Sequence, residues 1–300
     1  MRVIFIGCVN FSRSLLERVI TLPQVELVGI VSRSVSAFNS DFCCLEPIGA
    51  ARGVPVFLDA QNQQGELVAW LRALSPDIVY CFGWPYLLSR EVLGVPRLGV
   101  IGYHPTALPA NRGRHPIIWT LVLGLRETAS TFFVMDEGPD SGDIVSQVSV
   151  DVSPDETAET LYARLKEVAL RQVAELTRDL ADGTVVRRPQ DHSRANYWRK
   201  RGRDDGRIDW RMPAAGICNL VRALDRPYPG AHVVTGGRDI KVWGCVEAAC
   251  NPARLDEIAN LEHGLVLRSS RDSFDVRCGV GVVRVTRHEF DPIPEKGTYL

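Results

Sequence analysis

Short runs of β-branched and aromatic residues recur through the first hundred positions, at 3–6, 27–31, 54–57, 78–81 and 99–102. Stretches of helical spacing separate them, at 12–20, about 46–52 and 63–74. The last is stopped by Ser75-Pro76, because proline disfavours α geometry in the residue before it. This alternation constrains the fold more than any other feature. Strands that run in the same direction need a crossover, and a helix supplies it. The pattern predicts an α/β first domain with a Rossmann-like, parallel-rich sheet. Two more strands, 129–135 and 144–150, bracket the turn-rich loop Asp136-Glu137-Gly138-Pro139-Asp140-Ser141-Gly142-Asp143. A long helix is expected after Ser153-Pro154-Asp155-Glu156, apolar at Leu161, Leu165, Val168, Val173 and Leu176 and ended by Asp182-Gly183.

Composition changes beyond that helix. Residues 187–211 hold nine Arg or Lys against four Asp, and short strand-like runs follow a helical stretch at 214–224. The expected organisation is a first domain at 1–186, a basic linker at 187–211 and a small, barrel-like C-terminal β domain at 212–300. The whole chain has 35 Lys+Arg and 36 Asp+Glu, so a strongly basic nucleic-acid coat is excluded as a global property. Its longest apolar stretch, 116–125, is broken by Thr120 and Gly124 and falls short of the ~20 residues of a membrane span. The N-terminal apolar run is too short for a signal peptide, so the chain is expected to act in the cytoplasm. Eight cysteines at scattered spacings, with no C-x-x-C pair, point to reduced and mostly buried thiols, and no metal site is expected.

A sheet of this kind binds its ligand outside the carboxyl ends of its strands. The loops to inspect are therefore Phe82-Gly83-Trp84-Pro85-Tyr86-Leu87-Leu88, the segment from Tyr103 to Pro116, and the loop holding Asp136, Asp140 and Asp143. The first turn, Gly7-Cys8-Val9-Asn10-Phe11-Ser12, lacks the second and third glycines of a dinucleotide fingerprint, which argues against a nicotinamide enzyme.

Three ordered fragments carry a resemblance. They are His104-Pro105 with Leu108-Pro109, Arg112-Gly113, Pro116 and Trp119; then Met135 through Asp143; then Ile208-Asp209-Trp210 with 221–224 and Pro227-Tyr228-Pro229-Gly230-Ala231. Together they resemble the 10-formyltetrahydrofolate-dependent formyltransferase family, which includes methionyl-tRNA formyltransferase and the sugar N-formyltransferases. The resemblance implies a catalytic first domain, an OB-like C-terminal barrel, and attack of a substrate amine on the formyl carbon of 10-formyltetrahydrofolate. It implies His104 as the acid-base or oxyanion-stabilising residue. Asp140 would orient that histidine or accept amine protons, directly or through water. It points to Tyr86, Leu87, Leu88 and Arg114, and to the loop Asp136, Glu137, Gly138, Pro139 and Asp140, for the folate. As ordinary alternatives, His104 is a packing residue, Asp140 a turn residue, and Arg112 and Arg114 solvated loop charges.

One position departs from the family pattern. Most members carry Asn two residues before the histidine, where this chain has Gly102. The oxyanion must then be held by protonated His104, a backbone amide, a water or another side chain such as Asn111. The loop at 32–42 holds a single basic residue, Arg33, which argues against tRNA, since tRNA-directed members usually carry a basic insertion there. The expected acceptor is a nucleotide-linked amino sugar, with Asn39, Ser40 and Asp41 as polar groups for it. Methionyl-tRNA is the second reading, and a folate-binding protein without catalysis the third. No membrane partner is expected, and a homodimer is left open.

Overall fold

The first apolar run becomes an interior strand of a seven-stranded sheet. The computed structural model describes residues 1–35, 40–249 and 257–300. It opens with β1 (Arg2–Ile6), α1 (Asn10–Val19), β2 (Glu26–Ser32), α2 (Glu46–Ala50), β3 (Val56–Leu58), α3 (Gln64–Leu74), β4 (Ile78–Cys81), α4 (Arg90–Leu93) and β5 (Val100–His104). Then come β6 (Arg112–Gly113), α5 (Pro116–Val122), β7 (Glu127–Val134), β8 (Ile144–Asp151), α6 (Ala158–Asp182) and β9 (Tyr197–Trp198). The chain ends with α7 (Ala214–Ala223), β10 (Ala231–Thr235), β11 (Arg238–Glu247), β12 (Val266–Ser269), β13 (Phe274–Arg277) and β14 (Val282–His288).

The large sheet has the order β3-β2-β1-β4-β5-β7-β8. Its first five strands are parallel, and β7 and β8 join antiparallel at one edge. Strand order reverses between β1 and β4, which opens a crevice beyond their carboxyl ends. Side chains alternate across each strand. Ile4 and Ile6 of β1 pack with Val79 against Leu67 and Leu71 of α3. Phe5 points the other way, its ring edge-on to Phe82 at 5.5 Å. Phe82 also stacks on Tyr80 at 5.4 Å and meets Phe132 edge-on at 5.3 Å. The Tyr80 hydroxyl, buried with them, bonds Thr177 of α6 at 2.8 Å. The two faces of the sheet are thus sealed by different helices, and only the strand ends are left for chemistry.

Two compact units divide the chain. The first comprises 1–116, 127–151 and 163–199, and the second 117–126, 152–162 and 200–300, so residues 187–199 go with the first unit and 200–211 with the second. The run at 116–122, left without an element in the sequence reading, is helix α5, begun by a proline whose missing N–H costs nothing at a first helical position. In the second unit an antiparallel sheet of order β10-β11-β14-β13-β12 carries a core of Phe274, Val276, Val283 and Val285, and α7 lies on β11. Asn39 and Cys250 lie outside the described residues. Among the described residues no helix is long and apolar enough to cross a membrane.

Phe82→Ala removes the ring shared by Phe5, Tyr80 and Phe132. It is expected to cost about 3–5 kcal/mol in urea unfolding. A loss below about 1 kcal/mol, the scale of a surface change, would contradict this packing.

Candidate active site

His104 is the last residue of β5 and is 4% exposed. Its Nε2 lies 2.8 Å from the backbone oxygen of Asn111. A carbonyl oxygen only accepts, so Nε2 carries a hydrogen and Nδ1 is the nitrogen that gains or loses the mobile proton. Nδ1 faces the carboxylate Oδ2 of Asp140 at 3.5 Å. That separation is longer than a full hydrogen bond, so Asp140 does not saturate Nδ1 and a reacting atom can share it. The backbone N–H of Gly113 donates to the same Oδ2 at 2.8 Å.

The loops that deliver these groups are tied to one another. The segment after β5 turns back at Thr106, whose hydroxyl donates to the carbonyl of Ala110 and whose own carbonyl accepts from Thr131 of β7. Asp140 sits in the loop between β7 and β8 with φ of 54°, a left-handed conformation that Asp adopts more readily than most residues. Gly113 has φ of 106°, and a Cβ there would lie 2.4 Å from the backbone oxygen of Trp198. Only glycine allows β6 to approach β9 this closely and still present its N–H to Asp140.

Each position marked for the folate can now be placed. Tyr86, Leu87 and Leu88 follow β4, with Leu88 buried and Leu87 exposed. Gln64 holds this loop, donating to the Leu87 carbonyl at 2.9 Å and accepting from the Ser89 N–H at 3.0 Å. The exposed Arg114 joins the same loop to the His104 side by donating to the Pro85 carbonyl at 3.0 Å. Asp136 organises its own loop, accepting from the Gly138 N–H and the Ser141 hydroxyl. Glu137 faces Arg90 at 3.5 Å rather than His104, and Pro139 is exposed. A cleft of about 490 Å³ runs between α4 and the segment Met135 to Gly138. The loop from Asp136 to Asp140 thus supplies both part of the wall of this cleft, beside Leu93 and Met135, and the carboxylate that meets His104.

Gly102 lies in β5 opposite Phe133. A Cβ there would sit 2.8 Å from Phe133 Cζ and 2.9 Å from Met135 Cγ. The space of the usual asparagine is filled from the neighbouring strand. The Asn111 side chain is turned to Asn196, its Oδ1 accepting from Asn196 Nδ2 at 3.0 Å, while its carbonyl serves His104. Nor is Arg112 a solvated loop charge. It is 1% exposed and donates to Gln190, Tyr197 and His192. Gln190 and Asn196 were missed, because the dense Arg and Lys around them give that segment the composition of a solvated surface.

Neighbouring groups are kept out of the proton chemistry. Burial pushes the Tyr103 phenol well above its ordinary range and outweighs the hydrogen bond that Ser130 donates to its oxygen, so the ring stays neutral. Burial likewise pushes the Cys8 thiol up to about 11, which leaves it a poor nucleophile near neutral pH. Among the described residues no group of three His, Cys, Asp or Glu is placed to hold a metal ion.

Comparisons with known proteins place the chain in a family. The family model described as Formyl transferase matches residues 3–176, and Formyl transferase, C-terminal domain, matches 201–293. The chain is 30% identical over 290 residues to a methionyl-tRNA formyltransferase of Geobacter metallireducens, covering 95% of this chain and 89% of that one. It is 33% identical over 246 residues to the protein of that name from a Roseiflexus species, covering 81% and 75%. Its fold matches an N-formyltransferase from Helicobacter canadensis, solved with folinic acid and dTDP-3-aminofucose, at a TM-score of 0.71 and 14% identity over 95% and 98% of the two chains.

Gly102→Asn puts a side chain where Phe133 and Met135 already pack. It is expected to lower stability by about 1–3 kcal/mol in urea unfolding. Unchanged stability would show that the space is open.

Proposed function

The chain is an enzyme of the formyl transferase family, and from that premise we propose that it moves the formyl group of 10-formyltetrahydrofolate to the amine of methionyl-tRNA, with His104 and Asp140 handling the protons. The observation that carries the chemistry is the approach of Nδ1 of a buried histidine to a carboxylate at 3.5 Å. The amine nitrogen attacks the formyl carbon and forms a tetrahedral intermediate whose oxygen is negative. The amine gives up a proton to the His104–Asp140 pair. The bond from the formyl carbon to the folate N10 then breaks, and N10 takes a proton as it leaves. Protonated His104 and backbone N–H groups hold the oxyanion, since Gly102 offers no side chain. A flat ring seated among Tyr86, Leu88 and the loop Asp136 to Asp140 brings the formyl carbon to this pair.

The relatives at 30% and 33% identity bear the methionyl-tRNA name, and this support reverses the order of acceptors suggested by the sequence. Phosphate contacts would come from residues 187–211, with nine Arg or Lys against four Asp, rather than from the loop at 32–42. A nucleotide-linked amino sugar is the second reading. It is favoured by the lone basic residue, Arg33, in that loop, because such a ligand carries few phosphates.

Purified protein offered 10-formyltetrahydrofolate with charged initiator tRNA or with nucleotide-linked amino sugars decides between them. Transfer to tRNA that falls steeply with salt is expected. Transfer to a sugar alone would install the second reading, and folate binding with no transfer to any amine would overturn both. His104→Ala is expected to reduce transfer about 10²–10⁴-fold while folate binding is retained. An undiminished rate would remove His104 from the mechanism.

A further inference from the structure

Both partners of the His104 ring are held by the same short stretch of chain, residues 190–198, far away in sequence. Gln190 is 6% exposed and uses every polar atom of its amide. Its Nε2 donates to the backbone oxygen of Asp140 at 3.0 Å and to that of Gly142 at 2.6 Å. Its Oε1 accepts from the buried Arg112 guanidinium at 2.7 and 3.3 Å. Gln190 therefore grips the backbone of the residue whose carboxylate meets His104 Nδ1.

Asn196 grips the other side. Its Oδ1 accepts from the Asn111 N–H at 2.8 Å, its Nδ2 donates to Asn111 Oδ1 at 3.0 Å, and its carbonyl accepts from the Arg112 N–H at 3.0 Å. Asn111 is the residue whose carbonyl takes the hydrogen of His104 Nε2. Tyr197 and Trp198 then pair with Arg112 and Gly113, and Gly113 gives its N–H to Asp140. Asp140 and Asn111 both have positive φ, 54° and 64°, a conformation that costs free energy for non-glycine residues and persists where surrounding bonds impose it.

We propose that Gln190 and Asn196 are positioning residues of the formyl-transfer site, setting the distance of Asp140 from Nδ1 and of the Asn111 carbonyl from Nε2. The proposal rests on His104 and Asp140 being the proton-handling pair. Neither Gln190 nor Asn196 touches a reacting atom, and their polar atoms act on backbone and side-chain groups around His104. Arg112 serves as the buried brace between them, bonded to Gln190 through its guanidinium and to Asn196 through its N–H.

The test uses the full chain with Gln190→Leu and Asn196→Ala. Each is expected to lower kcat about 10²-fold, the scale of a misplaced catalytic group, while the KM for 10-formyltetrahydrofolate stays within about threefold. The imidazole NMR signals of His104, observed with labelled histidine, are expected to shift in both variants, because the ring's two partners move. Gln190→Asn and Asn196→Ser are the milder substitutions should the first variants fail to fold, and the same two readings apply to them. Unchanged kcat and unchanged His104 signals in a folded variant would overturn the proposal, as would a loss confined to KM. The NMR reading needs no turnover. If the wild-type protein transfers formyl to no amine and the His104 signals still move, the positioning role stands and the functional reading fails; if they do not move, the positioning role fails too.

Discussion

Everything in the site depends on a histidine ring held between two acceptors. Nε2 of His104 is committed to a carbonyl, so the mobile proton must sit on Nδ1, and Nδ1 looks at Asp140. A free neutral histidine side chain has two tautomers open to it. Here the backbone of Asn111 removes one of them. In the proposed reaction the ring needs no reorganisation before it takes a proton from an amine, and the carboxylate of Asp140 is already within 3.5 Å.

The fold supplies that arrangement by placing rigid strands under adjustable loops. β5 brings His104 to its carboxyl end, and the antiparallel β7 and β8 offer the loop with Asp140. A deep aromatic cluster of Phe5, Tyr80, Phe82 and Phe132 packs the strands beneath the loops. The loops are then stitched by side chains that are not themselves reactive. Gln64 holds the loop after β4, Asp136 holds its own turn, and Gln190 with Asn196 holds the two residues that face His104.

How much of this was legible in the sequence differs by kind. Strand and helix alternation was legible because hydrophobic period is local, and the observed β1 to β5 fall within a few residues of the expected runs. His104 and Asp140 stood out through the ordered fragments around them, and the structure brings them together. Gly102 was legible as a missing donor. That Phe133 and Met135 occupy the vacated space was not, because the contact crosses strands. The segment after α6 concealed its role for a similar reason. A buried glutamine whose bonds are all internal and an exposed one in water are the same letter, and the arginines nearby favour the second reading. Arg112 was equally ambiguous until its partners were seen.

In the proposed reaction His104 and Asp140 act as one unit. The most direct measurement is a double-mutant cycle on formyl transfer, with His104→Ala, Asp140→Ala and the pair together, each checked for retained folate binding. A single unit predicts that the double variant is about as slow as the slower single variant, because removing either partner already breaks the proton path. Losses that multiply, each substitution costing the same factor whether or not the other is present, would contradict it.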